Sequence, residues 1–124
     1  MDLLFWKALL GLILFDLLLL SRNFRRLHHI VSSWKITDKR AEPEATRKVC
    51  DAINLACVWY PKHVPCLQRS SVTTCLLRSR GVAAQMVVGA QKLPFKAHAW
   101  VEAYGQAINE NTDVQTLYGT WLRC

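Results

Sequence analysis

Two short stretches of this 124-residue chain hold residue types that could do chemistry together. The first is "PCLQRSSVTTCLLRSRG", residues 65 to 81, where Cys66 follows a proline and opens a stretch that reads as a helix ending at Gly81. A cysteine at a helix start lies beside backbone N–H groups that have no intrahelical partner, at the positive end of the dipole. Both favour thiolate over thiol. The second is "KAHAWVEA", where His98, Trp100 and Glu102 alternate with Ala97, Ala99, Val101 and Ala103. Alternation sorts side chains onto the two faces of a strand, so His98 falls on the polar face and small apolar residues line the other. A thiol at a helix start and an imidazole on a strand are the parts of a Cys–His pair, in which the base takes the thiol proton. His28, His29 and His63 lie in basic or proline-rich connections and read as surface groups.

A third member depends on hairpin register. "KAHAWVEAYGQAINE" (96–110) reads as a hairpin turning near Tyr104-Gly105. A three-residue loop, Ala103-Tyr104-Gly105 with Gly105 left-handed, sets Glu102 opposite Gln106, Trp100 opposite Ile108 and His98 opposite Glu110. A carboxylate there would hold the imidazole's tautomer and stabilise its cation. A two-residue loop at Tyr104-Gly105 instead sets Asn111 opposite His98, and an amide can also orient a histidine. Asp113 lies further along and is the third choice. Arg69, three residues after Cys66, falls on nearly the same helix face and is a candidate for substrate binding or orientation. Trp100 reads either as core or as a second substrate contact.

The elements that must position these residues follow from periodicity. From Leu3 to Leu20 the chain is almost wholly apolar, yet its longest uncharged run, Ala8 to Phe15, is well short of the roughly 20 residues a membrane span needs. Burial inside the domain is the first expectation for this helix. The second is a membrane anchor, either a peripheral surface contact through residues 3–20 or a span, followed by the basic "SRNFRR". Residues 1–36 are expected to form this helix and a basic connection packed on a core of residues 37–124. A helix runs from about Pro43 to Trp59, with Val49, Ile53, Ala56, Cys57 and Tyr60 on one stripe and Cys50 and Cys57 in packing roles. Val72, Cys75, Leu76 and Leu67 give the Cys66 helix its inner face, and Arg78 and Arg80 suit its negative end. "VAAQMVVGA" (82–90) reads as a strand ahead of the hairpin. Helices first and antiparallel strands afterwards is an α+β order.

Composition narrows the partners. With 52% hydrophobic and 20% charged residues, the chain is globular and sized for one core. Its 16 Lys and Arg against 9 Asp and Glu give a net charge of +7, but the bases are scattered rather than gathered on one face, so no nucleic acid is expected. The five cysteines are odd in number, with no C-x-x-C and no Cys/His pair at zinc spacing, so neither metal nor cofactor is expected. Asp2, Lys7 and Asp16 interrupt the apolar start, which also lacks a small-x-small cleavage exit, and a reducing cytoplasm follows as the expected location.

The helix-opening "CLxRS", then "LLRxRG", a Val-rich strand ending in Gly, "PFxAHAWVE" and an Asn-acid pair together resemble the lasso-peptide maturation peptidases, a bacterial branch of the transglutaminase-like cysteine-protease superfamily. The resemblance covers roughly Cys50 to Tyr118, and more loosely the first helix. It implies a transglutaminase-like (papain-like) fold and removal of the leader from a ribosomally made precursor peptide, before an ATP-dependent lasso cyclase closes the ring. It assigns Cys66 as nucleophile, His98 as base and Glu110 to the position where the family usually has aspartate. Members of this length usually lack the leader-binding domain, and no N-terminal segment here suits one, so a separate leader-binding protein is expected. Two rival readings share the same residues: an amide transferase or deamidase working through the same acyl-enzyme, and a non-catalytic peptide-binding module with a relict triad.

Overall fold

The fold is taken from a computed structural model that describes residues 2–37, 44–92, 94–110 and 113–124. Four helices, α1 (Leu3–Leu20), α2 (Phe24–Ser33), α3 (Ala45–Trp59) and α4 (Cys66–Ser79), precede the strands β1 (Gln85–Lys92), β2 (Phe95–Ala103) and β3 (Gln106–Ile108). A short α5 (Val114–Leu117) leads into β4 (Gly119–Arg123). The strands form one antiparallel sheet in the order β3-β2-β1-β4, which gives the expected α+β architecture.

Central to the helical layer is α4, packed by α1, α2 and α3 and by the sheet. It is buried nearly all round, including Gln68, Ser70, Ser71, Thr73 and Thr74. Small hydroxyl residues suit such a place because they can bond within their own helix: Ser71 Oγ donates to Leu67 O at 2.7 Å and Thr73 Oγ1 to Arg69 O at 2.8 Å. The stripe read for α3 holds in its apolar part, with Val49, Ala52, Ile53 and Ala56 buried. Pro43, expected in its first turn, lies outside the described residues.

The first helix is buried along one stripe only. Leu4, Phe5, Ala8, Leu12 and Phe15 face α3 and α4, whereas Leu3, Trp6, Leu10, Ile13, Leu14, Leu17 and Leu20 are exposed. The expectation of burial is therefore corrected for the outer half, because α1 lies at the margin of the helical layer and has neighbours on one side. By length and composition it is also apolar enough to cross a membrane, with a mean hydropathy of 2.3 over 18 residues. Two polar ties fix it to the rest. Gln68 Nε2 donates to Leu12 O at 2.7 Å, and Asp16 accepts from Tyr60 Oη at 2.6 Å while pairing with Lys62 at 2.9 Å.

The basic connection expected after α1 is itself a helix. Asn23 Oδ1 accepts from Arg26 N at 3.1 Å as the cap of α2, and Leu27 and Val31, four apart, are fully buried. Arginines and histidines on the outer face of α2 hide that short apolar stripe from a reading led by charge.

Candidate active site

Cys66 is the first residue of α4, half-buried, after Pro65 at the cap position. No side chain caps this end and no acid stands in its first turn, so the N–H groups there keep their donor capacity for an anion. Burial raises the thiols of Cys50, Cys57 and Cys124, and pushes Cys75 up to about 12. Those four are held as neutral packing groups.

His98 stands on β2 opposite Gly89 of β1. Its ring stacks on Trp100, with centroids 6.1 Å apart, and lies 5.6 Å from the ring of Tyr118. Trp100 is only 1% exposed. Its Nε1 donates to Glu102 Oε2 at 2.9 Å, and Glu102 is held in turn by Arg123 at 2.6 Å. Burial alone would raise Glu102, but the hydrogen bonds from Arg123, Trp100 and Gln115 outweigh it and leave the carboxyl below its usual range. Gly89 makes room for the indole: a Cβ there would stand 2.6 Å from Trp100 Cη2 and 2.9 Å from Gly119 O. Trp100, read either as core or as a substrate contact, is buried and has almost no surface to offer a substrate. It braces the imidazole from behind.

Glu110 Oε1 lies 2.9 Å from His98 Nε2, with the two side chains 16% and 26% exposed. A carboxylate only accepts, so the proton of the neutral imidazole belongs on Nε2 and the lone pair on Nδ1 is left to act as base. The contact expected between these residues is present, but the register used to reach it is corrected. The loop is the two-residue Tyr104-Gly105, both at positive φ (55° and 75°), a turn whose twist matches the flanking strands. Ala103 pairs with Gln106, Glu102 with Ala107 and Val101 with Ile108. That register, continued, would bring Asn111 across from His98. It is not continued, because β3 stops at Ile108 and Asn109 turns left-handed at φ 58°, which swings Glu110 toward the imidazole. Asn111 lies outside the described residues, and Asp113 sits at the N-cap position of α5 without a side-chain cap bond.

Arg69 is tied to the same corner. Its Nη2 donates to Asn109 O at 2.7 Å, so the helix that carries Cys66 grips the residue next to Glu110. Asn54 of α3 exchanges hydrogen bonds with the Asn109 side chain at 3.1 and 3.0 Å. Among the described residues, no hydrogen bond joins the Cys66 thiol to the imidazole; such contacts are often long before substrate binds. Sequence reasoning missed Asn54, Tyr118 and the role of Gly89, and met Asn109 only as half of the Asn-acid pair. Only Asn109 carried a local signal, as a residue type tolerant of positive φ directly before the acid.

The chain belongs to the transglutaminase-like superfamily, whose family model matches residues 11–122. It is similar to the Microcin J25-processing protein McjB of Escherichia coli, with 42% identity over 45 residues. That stretch covers 36% of this chain and 22% of the relative's length. No solved structure matches the chain.

Proposed function

We propose that this chain is a cysteine peptidase that removes the leader from a ribosomally made lasso precursor peptide, with Cys66 as nucleophile, His98 as base and Glu110 as the orienting acid. The contact of 2.9 Å between Glu110 and the far nitrogen of His98 carries the reading, since it leaves Nδ1 free for a thiol. Superfamily membership and similarity to a protein named for processing microcin J25 support the reaction class.

In the first half-reaction His98 takes the Cys66 proton and the thiolate attacks the scissile carbonyl. The first-turn N–H groups of α4 receive the oxyanion, and His98 returns the proton to the departing amine. In the second, His98 deprotonates water, which opens the thioester and frees the thiol. Glu110 stabilises the imidazolium in both halves. A separate leader-binding protein delivers the precursor and an ATP-dependent lasso cyclase receives the core. The enzyme works in the cytoplasm, and the exposed apolar face of α1, with a groove of about 500 Å³ beside it lined by Leu10, Leu14 and Trp34, supports peripheral membrane contact.

The test is to incubate a lasso precursor and its leader-binding protein with wild type and with Cys66→Ala, with and without an added primary amine, and weigh the products. Free leader and core from wild type alone are expected. An amine adduct as the main product would replace the peptidase with an amide transferase, and cleavage by Cys66→Ala would remove the catalytic assignment.

A further inference from the structure

Asn109 is the point at which three separate elements meet. It ends the register of β3 at a φ of 58°, a region that asparagine enters at less cost than most residues. Nothing in the strand ladder holds it, since pairing with β2 finishes at Ile108. Its backbone carbonyl is instead bound by the Arg69 guanidinium of α4 at 2.7 Å, a charge-assisted and partly buried hydrogen bond. Its side-chain amide is matched, donor to acceptor in both directions, by Asn54 of α3. The next residue is Glu110, at 2.9 Å from the imidazole.

We infer that Arg69 and Asn54 are positioning residues that act through Asn109 to hold the Glu110 carboxylate on His98. The inference rests on the proposed Cys–His–acid site and assigns to Arg69 a task other than substrate contact. The geometry explains why an acid outside any strand can orient a histidine within one. A carboxylate on an unsupported loop would sample positions off the imidazole. The Arg69 bond instead references it to the helix whose first residue is Cys66, one turn away. Displacements near 1 Å are enough to cost on the order of a hundredfold in rate, so a strap of two side chains is a meaningful device.

The test reads the alkylation rate of Cys66 by iodoacetamide at pH 6 and pH 9, with each variant's fold checked by circular dichroism and thermal melting. At pH 6 the reactive thiolate depends on an imidazolium that the acid supports; at pH 9 much of the thiolate forms without that help. Asn54→Ala and Asn109→Gly remove the amide pair without changing charge, and glycine keeps the positive φ. Arg69→Met removes the carbonyl clamp, and Arg69→Lys keeps charge with a single ammonium in place of the fork. The expected result is a loss at pH 6, largest in Arg69→Met at about tenfold or more, smaller in Asn54→Ala and Asn109→Gly, and little change at pH 9. If Arg69→Met alone is slow while Asn54→Ala, Asn109→Gly and Arg69→Lys match wild type, Arg69 acts by charge on the thiol and the strap is overturned. If His98→Ala alkylates as fast as wild type at pH 6, the Cys–His pair itself is absent and the failure lies in the proposed function.

Discussion

The two ends of α4 are built on opposite rules. At its N-terminus no side chain caps the helix and Cys66 is half-buried. At its C-terminus almost every backbone group is answered. Gly81, at φ 85°, closes a Schellman turn in which Gly81 N bonds Arg78 O at 3.1 Å and Val82 N bonds Leu77 O at 3.0 Å. Arg78 is buried and spreads its guanidinium over four carbonyls, those of Ala84 at 2.9 Å, Trp34 at 3.3 Å, Val31 and Cys124. Trp34 Nε1 adds a bond to Ser79 Oγ at 3.0 Å. The sealed end joins α2, the turn before β1 and the end of β4, whereas the open end leaves its donors without a side-chain cap. One helix thus separates the part that holds the fold from the part proposed to do chemistry.

That separation is broken most directly at Cys66. Cys66→Ala should abolish precursor cleavage, yet move the urea unfolding free energy by no more than about 1 kcal/mol, since a half-buried thiol fills little core. A large loss of stability would mean that the open end also carries structure. Glu110→Gln comes next. The amide keeps the size but loses the charge that supports the imidazolium, so turnover should fall by about 10²–10⁴-fold with the fold kept. Glu110→Asp, which restores the charge on a shorter stem, should recover much of that loss. Equal rates for Glu110→Gln and wild type would exclude the acid role.

Arg78→Met tests the sealed end. It keeps the apolar stem but takes a donor from four carbonyls; that of Val31 keeps the Trp34 N–H, and each buried acceptor left unpaired costs about 1–3 kcal/mol. A total near 3 kcal/mol or more is expected from denaturant titration, with cleavage per folded molecule unchanged. Lost cleavage in fully folded Arg78→Met protein would show the two ends to be coupled.

How far the sequence foretells this division differs along the chain. Apolar spacing placed α3, and the proline before Cys66 with Gly81 after it placed α4, because those signals are local. Arg78 read only as a cation near a negative helix end, since its carbonyl partners lie on α2, on the turn before β1 and at the end of β4, and only the folded chain assembles them. β4 escaped notice for the same reason: four of its five residues pair with β1 across a long separation, with a register shift between Val88 and Gly89. Glu110 was reached through a three-residue loop that the chain does not form. The contact with His98 still forms because the left-handed turn at Asn109 offsets the one-residue difference in register, and neither step is visible without the backbone. The Gly89 and Trp100 contact was equally hidden, as it joins side chain and backbone diagonally across two neighbouring strands.

The smallest effect expected concerns how the open end is anchored. Since its own first turn has no cap, the approach to it is tied from outside, where Tyr60 and Lys62 in the α3–α4 connection reach Asp16 of α1. The Tyr60 hydrogen bond first, then that of Lys62, hold the Asp16 carboxyl below its ordinary range. A carboxylate whose folded value is depressed contributes stability that is present above its unfolded value, about 3.9, and is lost as pH falls through the folded one. Wild type should therefore lose this contribution on acidification below about pH 4. Asp16→Asn should be weaker by that amount at pH 7 and should lack this part of the acid dependence. Urea unfolding of both proteins between pH 7 and pH 2.5 measures it: two parallel stability curves would show that the tie contributes nothing, and converging curves that α1 steadies the open end of α4.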